Sequence, residues 1–158
     1  MLLAVDIGNT NTKIAIADGH NVLHEWRIST DSKRTGDEYF SILRPLIRDA
    51  EIDVKKIDNA ILSSVVPALI GAFVIVSQHL IAKKPIIIGP DMYDCLPIKL
   101  PESAKYEIGT DLLCNAVEAW SKYKSAAIIV DFGTALSFTA VDQNANVAGV
   151  AIAPGIGT

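Results

Sequence analysis

The sequence predicts an α/β fold with a mixed five-stranded sheet, followed by the opening strands of a second, duplicated domain. The apolar segment Leu2–Val5 is predicted to be a buried strand, and Asp6 follows directly at its end. The chain then turns at Gly8 before a second apolar strand begins. The same pattern returns at Asp131 and Gly133, each at an offset of 125 residues. Such self-similarity indicates a duplication with two turns facing one cleft, although Asp-x-Gly taken singly is also a common turn.

After three antiparallel strands, strands and helices alternate along the first part of the chain. The predicted strands are Leu2–Val5, Ile14–Ala17, Val22–Ser29, Asn59–Val65 and Pro85–Ile88, the last of them short and buried. The predicted helices run from Thr35 to about Ala50, from Ala68 to Ala82 and from Asp111 to Lys124. This order is typical of a mixed-sheet α/β domain of ribonuclease-H-like type.

Local signals set the ends of these elements. Asp18–Asn21 is predicted to be a hairpin turn between the second and third strands. Thr35 and Glu38 form a capping-box pattern that opens the first helix, and Pro45 inside that helix predicts a kink or a break. Pro67 stands where the second helix begins, because proline suits the first helical position.

The second copy begins at Ala126, so the predicted domains are residues 1–125 and 126–158. Asp142–Asn146 is predicted to be its hairpin turn and Val147–Ala153 its next strand. No helix follows to cover this apolar hairpin, and an uncovered hairpin favours aggregation or mispairing. We therefore expect a truncated chain, or one that another chain completes.

Composition excludes several classes of protein. Half of the 158 residues are hydrophobic and a fifth are charged, as in a globular chain. The net charge of −4 argues against nucleic acid or an anionic membrane as a partner. Cys95 and Cys114 lack CxxC spacing, which favours reduced thiols, and the apolar stretch Val65–Ile81 is too short and too interrupted to span a membrane. Because the N-terminus also lacks a basic, signal-like region, we expect a cytoplasmic protein.

The first turn has the residue types that bind a magnesium-nucleotide tail. Gly8 lets the backbone approach a phosphate, Asn and Thr side chains donate hydrogen bonds, and Lys13 supplies positive charge. Asp6 is suited to holding Mg2+ through water. The pattern is neither a Walker A loop nor a G-x-G-x-x-G turn, because both glycine spacings are absent.

Asp111, at the start of the third predicted helix, has two explanations. Acidic residues are common there because the helix dipole stabilises them by about 0.3–1 kcal/mol. A carboxylate at this position also suits a general base that takes a proton from a hydroxyl attacking a γ-phosphate. The local sequence leaves both explanations open.

Four motifs, in this order, resemble those of type III pantothenate kinases. They are Asp6–Thr10 with Lys13, Ile108–Asp111 followed by Asn115–Val117, Asp131–Ala135, and Ile152–Gly157. The resemblance covers the whole chain and implies the actin-like ATPase and sugar-kinase fold, in agreement with the duplicated hairpins. It also implies that a homodimer transfers the γ-phosphoryl group of ATP to the primary hydroxyl of pantothenate, the first step of coenzyme A synthesis.

The resemblance also implies roles for individual residues. Asp111 is implied as the catalytic base, and Gly109, Thr110 and Leu112 would line the pantothenate pocket with it. Asp131 would bind the monovalent cation, K+ or NH4+, that this family uses. The implied ATP contacts are Asp6, Ile7, Gly8, Asn9, Thr10, Asn11, Thr12, Lys13 and Thr134, with Mg2+ held at Asp6 through water.

Three departures from the family pattern keep other functions open. Leu112 stands where many members have an Arg that can pair with the pantothenate carboxylate. Thr139 stands where relatives often have Asp, and Glu102–Lys105 replaces a Tyr-Asp-Asn-Pro-like run. One alternative is a catalytically impaired, nucleotide-binding regulator, and another is a different small-molecule kinase of the same superfold.

Overall fold

The computed structural model of this chain describes residues 1–155. The chain forms two compact units, Met1–Ile88 and Gly89–Thr158. The domain boundary predicted between residues 125 and 126 stays a prediction. Among the described residues, no helix is both long and apolar enough to cross a membrane.

The first unit contains a mixed five-stranded sheet, as the sequence predicts. Its strands are β1 (Leu2–Ile7), β2 (Asn11–Asp18), β3 (Asn21–Ser29), β4 (Asn59–Ser64) and β5 (Ile86–Ile87). They lie in the order β3-β2-β1-β4-β5, with β1 antiparallel to β2 and parallel to β4. The sheet therefore brings the carboxyl ends of β1 and β4 to the same edge.

Helix α1 (Gly36–Asp49) begins with the predicted capping box. The Glu38 backbone N–H donates to Thr35 Oγ1 at 3.3 Å, and the Thr35 N–H donates to Glu38 Oε2 at 2.7 Å. The break predicted at Pro45 does not occur, because the helix continues through it to Asp49. Buried apolar residues on both sides of the proline, namely Tyr39, Leu43 and Ile47, hold the helix on the core and offset the lost backbone hydrogen bond.

Helix α2 (Ile70–Ile81) packs against α1, after a 3-10 turn at Pro67–Leu69. The two helices approach closely at Gly36, where an added Cβ atom would lie only 2.7 Å from the Cβ atom of Ile75. The core of this unit combines side chains from one face of the sheet with side chains from both helices. Its largest fully buried members include Leu3, Ile7, Ile14, Ile16, Tyr39, Leu43, Leu62 and Val76.

The short strand predicted at Pro85–Ile88 is present as β5, but the prediction that it is buried is wrong. Ile86 and Ile87 are 48% and 40% exposed. The physical reason is the position of β5 at the edge of the sheet, where it pairs only over two residues of β4, Ile61 and Leu62. An edge strand this short leaves its side chains open on its outer side.

The second unit consists of α3 (Thr110–Tyr123) and an antiparallel sheet. Its strands β6 (Ala127–Phe132), β7 (Ala135–Val141) and β8 (Val147–Pro154) lie in that order. The predicted turn at Asp142–Asn146 connects β7 to β8. Helix α3 contacts β6 and β7. On the face of β7 that carries them, Ser137, Thr139 and Val141 are buried.

The opposite face of this small sheet is apolar and open. Ile128, Val130 and Phe132 alternate along β6, and Phe138 of β7 pairs with Val130, so all four side chains share one face. They are 72%, 41%, 70% and 36% exposed, in that order. We call these four residues the open face. The expectation of an uncovered apolar hairpin is therefore correct for this face. Helix α3 covers the other face at β6 and β7, whereas Ile152 of β8, which pairs with Ser137 on that face, is 67% exposed.

Candidate active site

The first turn, Gly8–Thr10, joins β1 to β2 and is closed by its own backbone. The Gly8 N–H donates to the Asn11 carbonyl at 3.0 Å. A Cβ atom at Gly8 would lie 3.0 Å from that same carbonyl oxygen, closer than ordinary van der Waals contact. The turn therefore has little room for any residue larger than glycine at this position.

The alternation of the two strands divides the predicted ATP-binding residues into two sets. Ile7 and Thr12 pair across the hairpin, and both are fully buried in the core. Asp6 pairs with Lys13, and both project from the opposite face, since neighbouring residues in a strand alternate. Side chains directly opposite each other in such a pair have Cβ atoms about 4.5–5.5 Å apart. The turn is thus flanked on one face by a carboxylate and an ammonium group.

The carboxylate of Asp6 is oriented by the next strand of the sheet. Ser63 of β4 lies beside Asp6 in the parallel register, and its hydroxyl donates to Asp6 Oδ1 at 3.1 Å. Ser63 is only 5% exposed, so this donor is fixed by the protein interior. Residues 1–155 contain no group of three or more His, Cys, Asp or Glu side chains that could hold a metal ion. A single carboxylate nevertheless suits Mg2+, which keeps several waters and takes further ligands from phosphates.

Asp111 lies in the first turn of α3, two positions after the N-cap residue Gly109. Its Oδ1 atom accepts a hydrogen bond from the Leu112 backbone N–H at 2.8 Å. This bond is what the ordinary explanation, a carboxylate at a helix N-terminus, requires. The role of Asp111 as a base therefore stays a prediction. Leu112 is buried, at 8% exposed, and the role predicted for it in the substrate pocket stays a prediction.

The second turn resembles the first but is shorter. Asp131 pairs with Ser137, whereas its counterpart Asp6 pairs with Lys13, so the second turn has a hydroxyl where the first has an ammonium group. The Gly133 N–H donates to the Ala135 carbonyl at 3.1 Å. The prediction that both turns face one cleft stays a prediction.

A side chain of α3 contacts the second turn's carboxylate. Asn115 Nδ2 donates to Asp131 Oδ2 at 3.2 Å. Asn115 follows Asp111 by four residues, which places the two side chains on the same face of the helix, one turn apart. Helix α3 therefore carries both the predicted base and a residue that holds Asp131.

The Pro-Gly segment lies against the second turn. A Cβ atom at Gly155 would collide with the carbonyl oxygen of Thr134 and lie 2.8 Å from that of Gly133. The backbone of Gly155 thus packs directly on two peptide groups of the turn. Ile156 and Gly157, which complete this predicted motif, lie outside the described residues.

Lys105, in the segment before α3, is engaged by two carboxylates. Its Nζ atom lies 3.0 Å from Asp94 Oδ1 and 3.0 Å from Glu102 Oε1. These bonds, with that to Asp94 the stronger cause, raise the pKa of Lys105. The ammonium group therefore bridges Asp94 and Glu102 in the segment that leads to Gly109.

The predicted site omits Ser63 of β4, which bonds to Asp6, and Thr30, which follows β3 and bonds to the first turn. Ser63 bonds Asp6, and the Thr30 hydroxyl donates to the Gly8 carbonyl at 2.8 Å. The signal that could have found them is topological. A parallel neighbour of β1 places its own end beside Asp6, and a strand antiparallel to β2 ends where β2 begins, beside the turn.

The sequence matches one protein family over nearly its whole length. The family model for type III pantothenate kinase matches residues 2–158. The type III pantothenate kinase of Geobacter sulfurreducens is 40% identical over 156 residues, which are 99% of this chain and 60% of that protein. That of Moorella thermoacetica is 40% identical over 157 residues, 99% of this chain and 61% of that protein. The chain therefore spans about three fifths of the length of these relatives.

Solved structures show the fold. The activator of the 2-hydroxyisocaproyl-CoA dehydratase from Clostridium difficile, with bound ADPNP, has a TM-score of 0.57 to this chain at 15% identity. The match covers 97% of this chain and 45% of the activator. This likeness supports the predicted fold class, and the sequence comparisons identify the family. The chain belongs to the type III pantothenate kinase family.

Proposed function

We propose that this chain carries the nucleotide turn and the acceptor helix of an ATP-dependent pantothenate kinase, which makes 4'-phosphopantothenate in the first step of coenzyme A synthesis. The observation that carries the proposal is the pairing of Asp6 with Lys13 beside the Gly8 turn, in a chain of the type III pantothenate kinase family. A carboxylate and an ammonium group on one sheet face suit a magnesium-nucleotide tail.

In the proposed reaction, the oxygen of the primary hydroxyl of pantothenate attacks the γ-phosphorus of ATP. A P–O bond to that oxygen forms while the bond from the γ-phosphorus to the β,γ-bridging oxygen breaks, and ADP leaves. The hydroxyl proton passes to the carboxylate of Asp111. Transfers of this kind depend mainly on positioning and on charge stabilisation.

At the nucleotide turn, Lys13 would compensate phosphate charge, and the predicted turn residues with Thr134 would contact ATP. The Asp6 carboxylate, held by Ser63, would hold Mg2+ through water. When bound, Mg2+ neutralises charge on the phosphate oxygens.

At the start of α3, Gly109, Thr110 and Asp111 would contact pantothenate, together with the buried Leu112. Because Leu112 has no charge, the pantothenate carboxylate would be recognised by residues other than this one. The absence of a charge at Leu112 is a reason to test other hydroxyl acceptors alongside pantothenate. A kinase for a different small molecule would share the nucleotide turns with this family but would have a different substrate pocket.

Asp131 would hold the monovalent cation, K+ or NH4+. The carboxylate fits this role, because it is an oxygen ligand whose orientation is fixed by Asn115. The positive charge would offset the crowding of phosphate and carboxylate charges. Measuring the rate in K+, NH4+ and Na+ tests this part, and equal rates in Na+ alone would contradict it.

We further propose a cytoplasmic homodimer that acts on small molecules and has no nucleic-acid or membrane partner. The net charge of −4 supports the choice of partners, and two cysteines without CxxC spacing, Cys95 and Cys114, support a reducing compartment. Sedimentation of the purified protein at several concentrations tests the dimer, and a monomer at all of them would contradict it.

The decisive experiment measures phosphopantothenate formation from ATP, Mg2+, K+ and pantothenate by this chain and two variants. Asp111→Asn removes the proposed base. Asp37→Asn is a matched control, because Asp37 occupies the same second position of α1 that Asp111 occupies in α3. Each change weakens a helix-dipole interaction of about 0.3–1 kcal/mol, so both should lower thermal stability slightly.

Only Asp111→Asn should lower turnover, by about 100- to 10,000-fold, as expected for the loss of a general base. ATP binding should stay nearly unchanged in both variants. Turnover by Asp111→Asn equal to that of the unaltered chain would remove Asp111 as the base. Tight ATP binding without turnover by the unaltered chain would instead favour the nucleotide-binding regulator.

A further inference from the structure

Thr30, which follows β3, makes three hydrogen bonds to the first turn and to β2. Its N–H donates to the Thr10 carbonyl at 2.9 Å, and its hydroxyl donates to the Gly8 carbonyl at 2.8 Å. Thr30 Oγ1 also lies 2.9 Å from Thr12 Oγ1. Because the single hydroxyl proton of Thr30 goes to Gly8, Thr12 is the donor in this last bond. Thr30 thus bonds to the first and the last residue of the turn and to the buried Thr12 of β2.

These bonds fix the direction of a peptide group in the turn. In a trans peptide, the C=O and the N–H point in opposite directions. With the Gly8 carbonyl held by Thr30, the N–H of Asn9 in the same peptide group points away from Thr30. Backbone N–H groups presented by a glycine-containing turn are common donors to phosphate.

Thr30 is in turn anchored to the hydrophobic core through its neighbour. The hydroxyl of Tyr39 accepts from the Asp31 N–H at 2.9 Å and donates to the Asp31 carbonyl at 3.0 Å. Tyr39 is fully buried, and its ring packs on that of Phe73 at 4.7 Å between centroids. A rigid core residue therefore holds the backbone immediately after Thr30.

We propose that Thr30 is a positioning residue that sets the Gly8–Asn9 peptide group, so that the Asn9 N–H is presented to a nucleotide phosphate. This inference rests on the proposed nucleotide-binding function of the turn. Thr30 acts through the turn and transfers no proton in the reaction. Its contribution should appear in nucleotide affinity and in the protection of the turn's amides.

The test compares three variants of the full chain. Thr30→Val keeps the size and branching of the side chain but removes the hydroxyl, whereas Thr30→Ser keeps the hydroxyl. Ser77→Ala is the matched control, because the Ser77 hydroxyl, like that of Thr30, donates to a backbone carbonyl, that of Lys83, at 2.7 Å, and Ser77 is buried. Dissociation constants for Mg-ADPNP are measured by calorimetry, and amide hydrogen exchange is measured without nucleotide.

For Thr30→Val, we expect the dissociation constant to rise by about tenfold, the size of effect that losing one or two hydrogen bonds produces. Exchange at the Gly8 amide should become faster. Thr30→Ser should restore both values, and Ser77→Ala should change neither, even if it lowers the melting temperature. Nucleotide affinity in Thr30→Val equal to that of the unaltered chain would overturn the proposal. So would an equal loss of affinity in Ser77→Ala.

The nucleotide function of the turn and the positioning role of Thr30 can fail separately. If the unaltered chain binds no Mg-ADPNP, the nucleotide function of the turn and the affinity effect proposed for Thr30 are both overturned. The exchange measurement still decides whether Thr30 holds the turn: faster exchange at Gly8 in Thr30→Val than in Ser77→Ala supports this, and equal exchange contradicts it. Should Thr30→Val fail to fold, Tyr39→Phe takes its place, since it removes only the hydroxyl that anchors Asp31.

Discussion

Asn115 of α3 donates a hydrogen bond from Nδ2 to Oδ2 of Asp131, at the end of β6, over 3.2 Å. The two residues belong to different predicted motifs, the Asp111 motif and the second turn. Their bond makes the orientation of the Asp131 carboxylate depend on α3, one helical turn after Asp111. A substitution that shifts one motif should therefore also shift the other.

Replacing Asn115 with Ala should weaken the proposed cation site at Asp131. Hydrogen bonds to charged groups contribute about 1.5–3 kcal/mol, so the K+ concentration for half-maximal activity should rise by roughly tenfold or more. The rise in melting temperature that K+ produces should shrink in parallel. Hydrogen exchange at the Gly8 amide should stay unchanged, because the first turn is untouched.

The control for this variant is Asn144→Ala, which removes an exposed amide from the β7–β8 turn. It should respond to K+ as the unaltered chain does. An Asn115→Ala protein with an unchanged response to K+ would show that the bond to Asp131 has no part in cation binding.

Gly155 should tolerate no side chain, because of its contact with the second turn. A Cβ atom there would collide with the Thr134 carbonyl, so Gly155→Ala must displace either the turn or the end of β8. We expect a destabilisation of about 1–3 kcal/mol, the usual cost of overpacking, measured by denaturant unfolding. Gly149→Ala, within β8, is the control, since an added Cβ meets nothing within 4 Å there. Equal stability of the two variants would contradict the packing of Gly155 on the turn.

The sequence predicts well those features that depend on neighbouring residues. The capping box of Thr35 and Glu38 and the hairpin turn after Asp18 need only local chemistry, and both are present. The break predicted at Pro45 is a local signal that tertiary packing overrides, because buried residues on both sides hold the helix, whereas the kink stays a prediction. The exposure of Ile86 depends on its place at the sheet edge, which the apolar run alone does not reveal.

The residues of the candidate site likewise fall into those that a local pattern predicts and those that only strand order reveals. Motif spacing predicts roles for Asp6, Asp111 and Asp131, since each stands in a recognisable short pattern. Thr30 contacts the first turn, and Ser63 contacts Asp6, only because β3 and β4 end beside these residues, and no short pattern marks them. Strand order and register are needed to find such residues.

The open face of the small sheet should bind apolar probes. Ile128→Lys places a charge on a side chain that is 72% exposed, so it should lower binding of a hydrophobic dye and slow aggregation with little loss of stability. Ile129→Lys is the control, because Ile129 is the next residue of β6 and projects toward the face that α3 covers. That variant should unfold the second unit. Similar effects of the two lysines would contradict the assignment of the faces.

The stability of the β7–β8 turn should depend on pH through Asp142. Hydrogen bonds from the Asn146 side chain and backbone, and then from the Asn144 backbone, lower the pKa of the Asp142 carboxyl. A carboxyl whose folded pKa is lowered stabilises the fold fully above its unfolded pKa of about 3.9. That stabilisation is lost as the pH falls through the folded value.

Asp142→Ala should therefore melt at a lower temperature than the unaltered chain at about pH 7, and the difference should shrink below about pH 4. Asn144→Ala, which changes an exposed side chain of the same turn without removing a carboxylate, should show no such pH-dependent difference. A gap between Asp142→Ala and the unaltered chain that stays constant down to about pH 2 would mean that the carboxylate charge does not stabilise the turn.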